Sequence, residues 1–182
     1  MNEKKKLTRR NFVKYSLQLA AGIALSSPLE SMAKFTIQQP MSFYHTHTGE
    51  HLEIEYSCNG CTPVTLNRLN NFLRDFRTGD VHPIDPGLLD IIYGIQQKNG
   101  SNGIIEIVSG YRSPRTNEQL RSKSSGVAKK SLHMKGQAVD IRITDLDTRK
   151  LRDSAISLRQ GGVGYYAKSN FVHIDTGRFR TW

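Results

Sequence analysis

The sequence predicts an α+β domain in which helices pack on an antiparallel sheet. Strand-period and helix-period segments are mixed along the chain without strict alternation. No internal repeat or low-complexity linker interrupts them. Behind an N-terminal leader, residues 34–182 leave 149 residues, a length that suits one domain with its own core.

The leader comes first. Lys4-Lys5-Lys6 is a basic start, Thr8-Arg9-Arg10-Asn11-Phe12-Val13-Lys14 reads as a twin-arginine export motif, and Leu17 to Leu25 is short and weakly apolar. Ser31-Met32-Ala33 offers the small residues a signal peptidase needs, so residues 1–33 read as a removable signal peptide. An ordinary amphipathic helix is the plainer alternative. No later stretch approaches the ~20 apolar residues that span a bilayer. The expected address is the periplasm, reached by the twin-arginine pathway.

Residues 42–57 read as a hairpin, with Phe43 and Tyr44 before a turn at Thr48-Gly49-Glu50 and Leu52, Ile54 and Tyr56 alternating after it. A helix from about Pro63 carries the stripe Leu66, Leu69, Phe72, Leu73 and Phe76. Asp85-Pro86 supplies an N-cap and first position for a second helix, with Leu88, Leu89, Ile92 and Ile95 inside, ending near Asn99-Gly100. Ile104 to Val108 is a strand, followed by a short polar helix from Arg115 to Ser122 and a lysine-rich loop. In Ala138 to Ile143, Val139, Ile141 and Ile143 alternate with Ala138, Asp140 and Arg142, the period of a half-buried strand. Thr148 to Arg159 is the last helix, capped by Gly161-Gly162. In Phe171 to Asp175, Val172 and Ile174 take one face, His173 and Asp175 the other.

The whole chain carries a net charge of +10, but the leader holds six basic and two acidic residues. Without it 20 basic and 14 acidic residues remain, a net +6. Such a charge usually raises nucleic acid as a partner. Export removes that partner, and no aromatic residues interleave the basic stretches. An anionic partner fits, as does a basic surface serving solubility. Cys58-Asn59-Gly60-Cys61 holds both cysteines. A local disulfide or two free thiols is expected, because the βαβ setting of a redox motif is missing.

Two histidines and a carboxylate are what a catalytic zinc site needs, with the fourth position left to water. His133, Asp140 and His173 supply them: if the strands holding Asp140 and His173 pair, both project from one side of the sheet, and His133 enters from the loop that contains Gly136. His45, His47 and His51 are a rival cluster, but they bring no carboxylate at ligand spacing and an edge hairpin would leave them without outer-shell support.

The pattern His133-Met134-Lys135-Gly136-Gln137-Ala138-Val139-Asp140 followed by His173-Ile174-Asp175 resembles the zinc D-Ala-D-Ala peptidase superfamily, which cuts murein peptides. Ser109-Gly110-Tyr111-Arg112-Ser113 resembles its arginine-bearing segment. Val127 to His133 and Gly161-Gly162-Val163-Gly164-Tyr165-Tyr166 are similar to the YcbK-like murein endopeptidases of Gram-negative bacteria, and the likeness runs from about His47 to Trp182. The resemblance implies a hedgehog/D-Ala-D-Ala peptidase-like fold. It also implies Zn²⁺ on His133, Asp140 and His173, and a monomer that hydrolyses peptidoglycan stem-peptide crosslinks at diaminopimelate. Arg112 would stabilise the oxyanion or hold a substrate carboxylate; pairing with Glu106 or Asp175 is its structural alternative. Many relatives carry a glutamate three residues before the last histidine, where this chain has Asn170. Asp175, about 6.6 Å beyond His173 along an extended strand, is then expected either as general base or as the partner that orients His173. A D-Ala-D-Ala carboxypeptidase and a zinc-containing, non-catalytic murein-binding module remain the alternative functions.

Overall fold

Alternation in the first hairpin sets one edge of the sheet. β1 (Gln39–His45) and β2 (His51–Tyr56) pair antiparallel, and Leu52, Ile54 and Tyr56 turn inward while His51, Glu53 and Glu55 stay exposed. The computed structural model describes residues 39–56 and 61–182. The expected leader and Cys58 lie outside them.

α1 (Pro63–Phe72) starts on Thr62, whose hydroxyl accepts from Thr65 N–H, with Pro63 at a position that needs no intrahelical donor. It buries Leu69 and Phe72 and ends there, so Phe76 falls beyond the helix and stacks on His47 instead of extending the stripe. α2 (Gly87–Asn99) begins one residue later than the sequence suggests. Asp85 still satisfies its start by accepting from Gly87 N–H, and Gly100 ends it in the left-handed conformation. β3 (Ile105–Ser109) and α3 (Pro114–Lys123) follow, then a 3₁₀ turn (Leu132–Lys135), β4 (Ala138–Ile143), α4 (Thr148–Leu158), β5 (Gly162–Tyr166), β6 (Phe171–Asp175) and β7 (Arg180–Thr181).

The seven strands form one sheet in the order β2-β1-β3-β4-β6-β5-β7. It is mixed rather than antiparallel: β1 runs parallel to β3, and β5 parallel to β7. A parallel pair needs a long crossover, and α1 and α2 supply it between β1 and β3. For β7, the chain leaves β6 and returns on the far side of β5. Residue periodicity reports which face a side chain takes and carries nothing about either connection. One core unites the sheet with the helices through Phe43, Leu69, Leu88, Ile95, Ile107, Ile141, Leu151 and Ile174.

Gly161 and Gly162 do not cap α4. The helix cap is Arg159, itself left-handed at φ 55°. The glycines are there for closeness: a Cβ on Gly161 would lie 1.7 Å from the Asp175 carbonyl oxygen, and one on Gly162 would lie 2.4 Å from Asp175 Oδ2. Their bareness lets β5 press against the end of β6. Among the described residues no helix is long and apolar enough to cross a membrane.

Candidate metal centre

β4 and β6 pair antiparallel with Asp140 opposite His173, so the two side chains leave the same side of the sheet. His133 arrives from the 3₁₀ turn, whose start is set by Ser131 Oγ accepting from His133 N–H. Gly136 closes that turn at φ 64°, and a Cβ there would meet the Pro83 carbonyl oxygen at 2.1 Å. The glycine of the His-x-x-Gly pattern thus meets two demands, a left-handed turn and close packing on the chain before α2.

The three ligand atoms lie within 4.8 Å of one another. His133 Nε2 is 3.2 Å from His173 Nδ1 and 3.3 Å from Asp140 Oδ1, and His173 Nδ1 is 2.8 Å from the same oxygen. Hydrogen bonds on the far side of each ring fix what these atoms are. His133 Nδ1 lies 2.7 Å from the Gly110 carbonyl, which can only accept, so that nitrogen carries the proton. His173 Nε2 lies 3.1 Å from Asp175 Oδ2 and likewise donates. With the protons placed there, the neutral form of each imidazole turns the lone pair of its other nitrogen toward the other ring and toward a carboxylate oxygen. Three acceptors facing one another inside a buried site call for a cation. Ligands on a tetrahedral zinc with bonds of ~2.0–2.1 Å sit roughly 3.3 Å apart, close to these separations, so the donor set fits the ion.

Charges around the centre reinforce the arrangement. Burial disfavours the ionised form of Asp140, yet His133 and His173 outweigh it and hold its carboxyl well below the usual range. Burial lowers the pKa of His133. For His173 burial also opposes the charge, but the carboxylates of Asp140 and Asp175 prevail and raise it.

Arg112 pairs with neither Glu106 nor Asp175. Its Nη2 donates to Asp140 Oδ2 at 2.9 Å and its Nε to Ser109 Oγ at 3.0 Å. A register shift between Ile107 and Ser109 in β3 brings Ser109 opposite Asp140. Buried Asp75 accepts from Ser113 N–H and fixes the segment from the other side. With one carboxylate oxygen held by Arg112, Asp140 offers the other to the metal position.

Asp175 is fully buried, and both its oxygens are occupied. Oδ1 accepts from Gly162 N–H, Gly177 N–H and Arg180 Nη1; Oδ2 accepts from His173 and Arg180 Nη2. Burial opposes its charge, but His173 and Arg180 keep it ionised. Sequence reading missed Arg180. The signal was present in Arg178, Arg180 and Trp182, whose period of two follows directly on the His-x-Asp strand. Asn170 stands outside the centre: it is exposed, left-handed at φ 50°, and its Oδ1 accepts from Thr148 Oγ1 at the start of α4.

Among the described residues the rival histidines form no three-ligand group, although the rings of His45 and His47 lie 6.1 Å apart. His45 is buried and its Nδ1 accepts from the backbone N–H groups of His47 and Thr48, while His51 lies over Tyr44. A cleft of about 290 Å³ opens on the His133–Asp140–His173 centre, bordered by Arg112, Lys130, Tyr166, Arg180 and Trp182. Lys123, Lys129 and Lys135 are not in its wall.

A family profile described as "Peptidoglycan L,D-endopeptidase MepK" matches residues 35–182. The chain is 43% identical over 167 residues to the peptidoglycan L,D-endopeptidase MepK of Escherichia coli (strain K12), spanning 88% of this chain and 92% of that protein. It is 45% identical over 168 residues to a Haemophilus influenzae protein named "Probable peptidoglycan L,D-endopeptidase MepK", spanning 90% of each. No solved structure matches.

Proposed function

Because this chain belongs to the peptidoglycan L,D-endopeptidase MepK family, we propose that it is a zinc-dependent murein endopeptidase that hydrolyses peptide crosslinks at diaminopimelate. The observation that carries the metal assignment is the convergence of three lone pairs from His133, Asp140 and His173. A Zn²⁺ held there would supply Lewis acidity toward the scissile carbonyl and a water nucleophile at neutral pH. The chain's own residues supply orientation. Gly110 and Asp175 set the tautomers of the two histidines, and Arg112 turns Asp140. With both oxygens already engaged, Asp175 acts through His173 as a positioning residue. Arg112 also borders the cleft, with its guanidinium bound to Asp140, so its fixed charge acts at the centre through that carboxylate.

A carboxypeptidase would need a cationic clamp for a free terminal carboxylate beside the metal. Both guanidinium groups of the cleft are already bound to internal carboxylates, which leaves Lys130 as its one unpaired cation among the described residues. This favours the endopeptidase. Digesting purified sacculi with leader-free protein and resolving the muropeptides by mass spectrometry tests the reading. Loss of crosslinked dimers with gain of monomers is expected. Release of D-Ala alone would make the enzyme a carboxypeptidase, and no release from zinc-loaded protein would make it a binding module.

We further propose that residues 1–33 are the leader, that 34–182 form the working domain, and that twin-arginine export delivers it to the periplasm already folded. Replacing Arg9-Arg10 with Lys-Lys is expected to leave unprocessed protein in the cytoplasm. Immunoblots of cell fractions read the result, and normal processing of that variant would point to the general secretory route.

A further inference from the structure

Tyr166 and Trp182 form a polar-aromatic pair on the cleft wall that the metal chemistry does not use. The Trp182 indole N–H donates to the Tyr166 hydroxyl at 3.1 Å, and the Trp182 ring centre lies 5.3 Å from that of His173. Backbone bonds from Trp182 N–H to Val163 and from Tyr165 N–H to Trp182 hold the indole on β5. Gly164, opposite His173 in the strand register, is bare beneath it: a Cβ there would meet Trp182 Cε2 at 2.5 Å. Tyr166 is stacked on Phe171 at 4.6 Å.

The chain thus fixes a large aromatic residue beside the metal centre and then leaves it 51% exposed. Seating it needs a glycine in the strand that flanks the ligand strand, although full burial would have gained more from the hydrophobic effect. The phenol is held in a matching way. Its oxygen already accepts from the indole, and among the described residues no acceptor takes its own proton. A rigid apolar plate joined to one uncommitted hydroxyl donor suits a peptide, which offers aliphatic side chains and carbonyl acceptors.

We propose that Tyr166 and Trp182 act as one substrate-holding unit, the indole packing the aliphatic stem of the residue that flanks the cut and the phenol donating to a stem-peptide carbonyl. This rests on the murein endopeptidase reading for the identity of the peptide. Neither residue moves a proton in the reaction; both contribute binding that is equal in the ground and transition states.

The chain contains one tryptophan, so its emission reports on this site alone. Wild-type zinc protein is mixed in a stopped-flow instrument with a soluble muropeptide dimer crosslinked through diaminopimelate. A saturable emission change is expected before cleavage, with a half-point near KM. Tyr166→Phe removes one hydroxyl and is expected to raise KM roughly 3- to 10-fold, the worth of a neutral hydrogen bond, with kcat within about twofold and zinc content intact. Trp182→Phe, which keeps an aromatic ring but loses the N–H, is expected to raise KM in the same way. Unchanged emission at saturating dimer in protein that cleaves it would overturn the proposal. So would wild-type KM in both variants, or a loss confined to kcat. If wild type cleaves nothing, the endopeptidase reading falls, and a saturable emission change would still support the peptide-holding wall while a silent one would overturn both.

Discussion

Replacing His133, Asp140 or His173 with alanine is expected to lower zinc affinity by more than the ~10–100-fold that changes outside the ligand set cost. The reason is geometric as much as chemical. Each of the three atoms faces the other two at 2.8–3.3 Å, so removing one leaves two ligands and an opening to water. The three variants should not be alike in stability. Asp140→Ala leaves the Arg112 guanidinium, with only 14% of its side chain exposed, without its carboxylate, and breaking such a pair costs about 3–5 kcal/mol where it is buried. His133→Ala leaves a neutral carbonyl, that of Gly110, without its donor, and should be milder than Asp140→Ala. Elemental analysis after dialysis, with thermal melts on the same samples, reads both effects. Full zinc in all three variants would refute the assignment.

That centre was legible in the sequence because ligand spacing and strand period agree. Period two put Asp140 and His173 on matching faces, and the register places them opposite each other. Period two also gave the inward face of β2, and the helical period gave the buried residues Leu88, Leu89, Ile92 and Ile95 of α2. Neither period could give pairing direction, so the two parallel pairs appear only in the structure. Nor could local sequence show why glycines recur at 161, 162 and 164. The first two read as a helix cap, but each of the three is bare because something distant in sequence lies against it: the Asp175 carbonyl, the Asp175–Arg180 pair and the Trp182 indole. Arg180 escaped notice for a related reason. An arginine in a short strand near the end of a chain is ordinary until a fully buried carboxylate is found to need it. The departure at Asn170 also changes meaning. The residue lies in a left-handed turn and is tied to α4, so its backbone does not bring a side chain to the cleft.

Asp175→Asn is expected to lower zinc affinity about 10–100-fold and to carry turnover down with it, without unfolding the protein. The native carboxylate accepts from five donors and donates nothing. An asparagine has one acceptor oxygen and one donor NH₂ group, so whichever way it turns, an N–H must face donors that the carboxylate satisfied. If the NH₂ faces His173, it donates to Nε2 and drives the imidazole proton to Nδ1, the atom that offers its lone pair to the metal. If it faces Gly162 and Gly177, their N–H groups lose an acceptor, and the Arg180 fork keeps only one oxygen. In the first orientation the ligand is present in the wrong tautomer, a fault that excess zinc can partly reverse by mass action. Turnover measured across a zinc titration separates this from proton transfer. Recovery toward wild type at saturating zinc supports positioning through His173. A loss of roughly 10²-fold or more that persists with wild-type zinc affinity is the signature of a missing general base, and would restore Asp175 to that role. Asn170→Glu is the control: its side chain points to α4 rather than to the cleft, so turnover should stay unchanged, and a gain would mean that a carboxylate there reaches the reacting water after all.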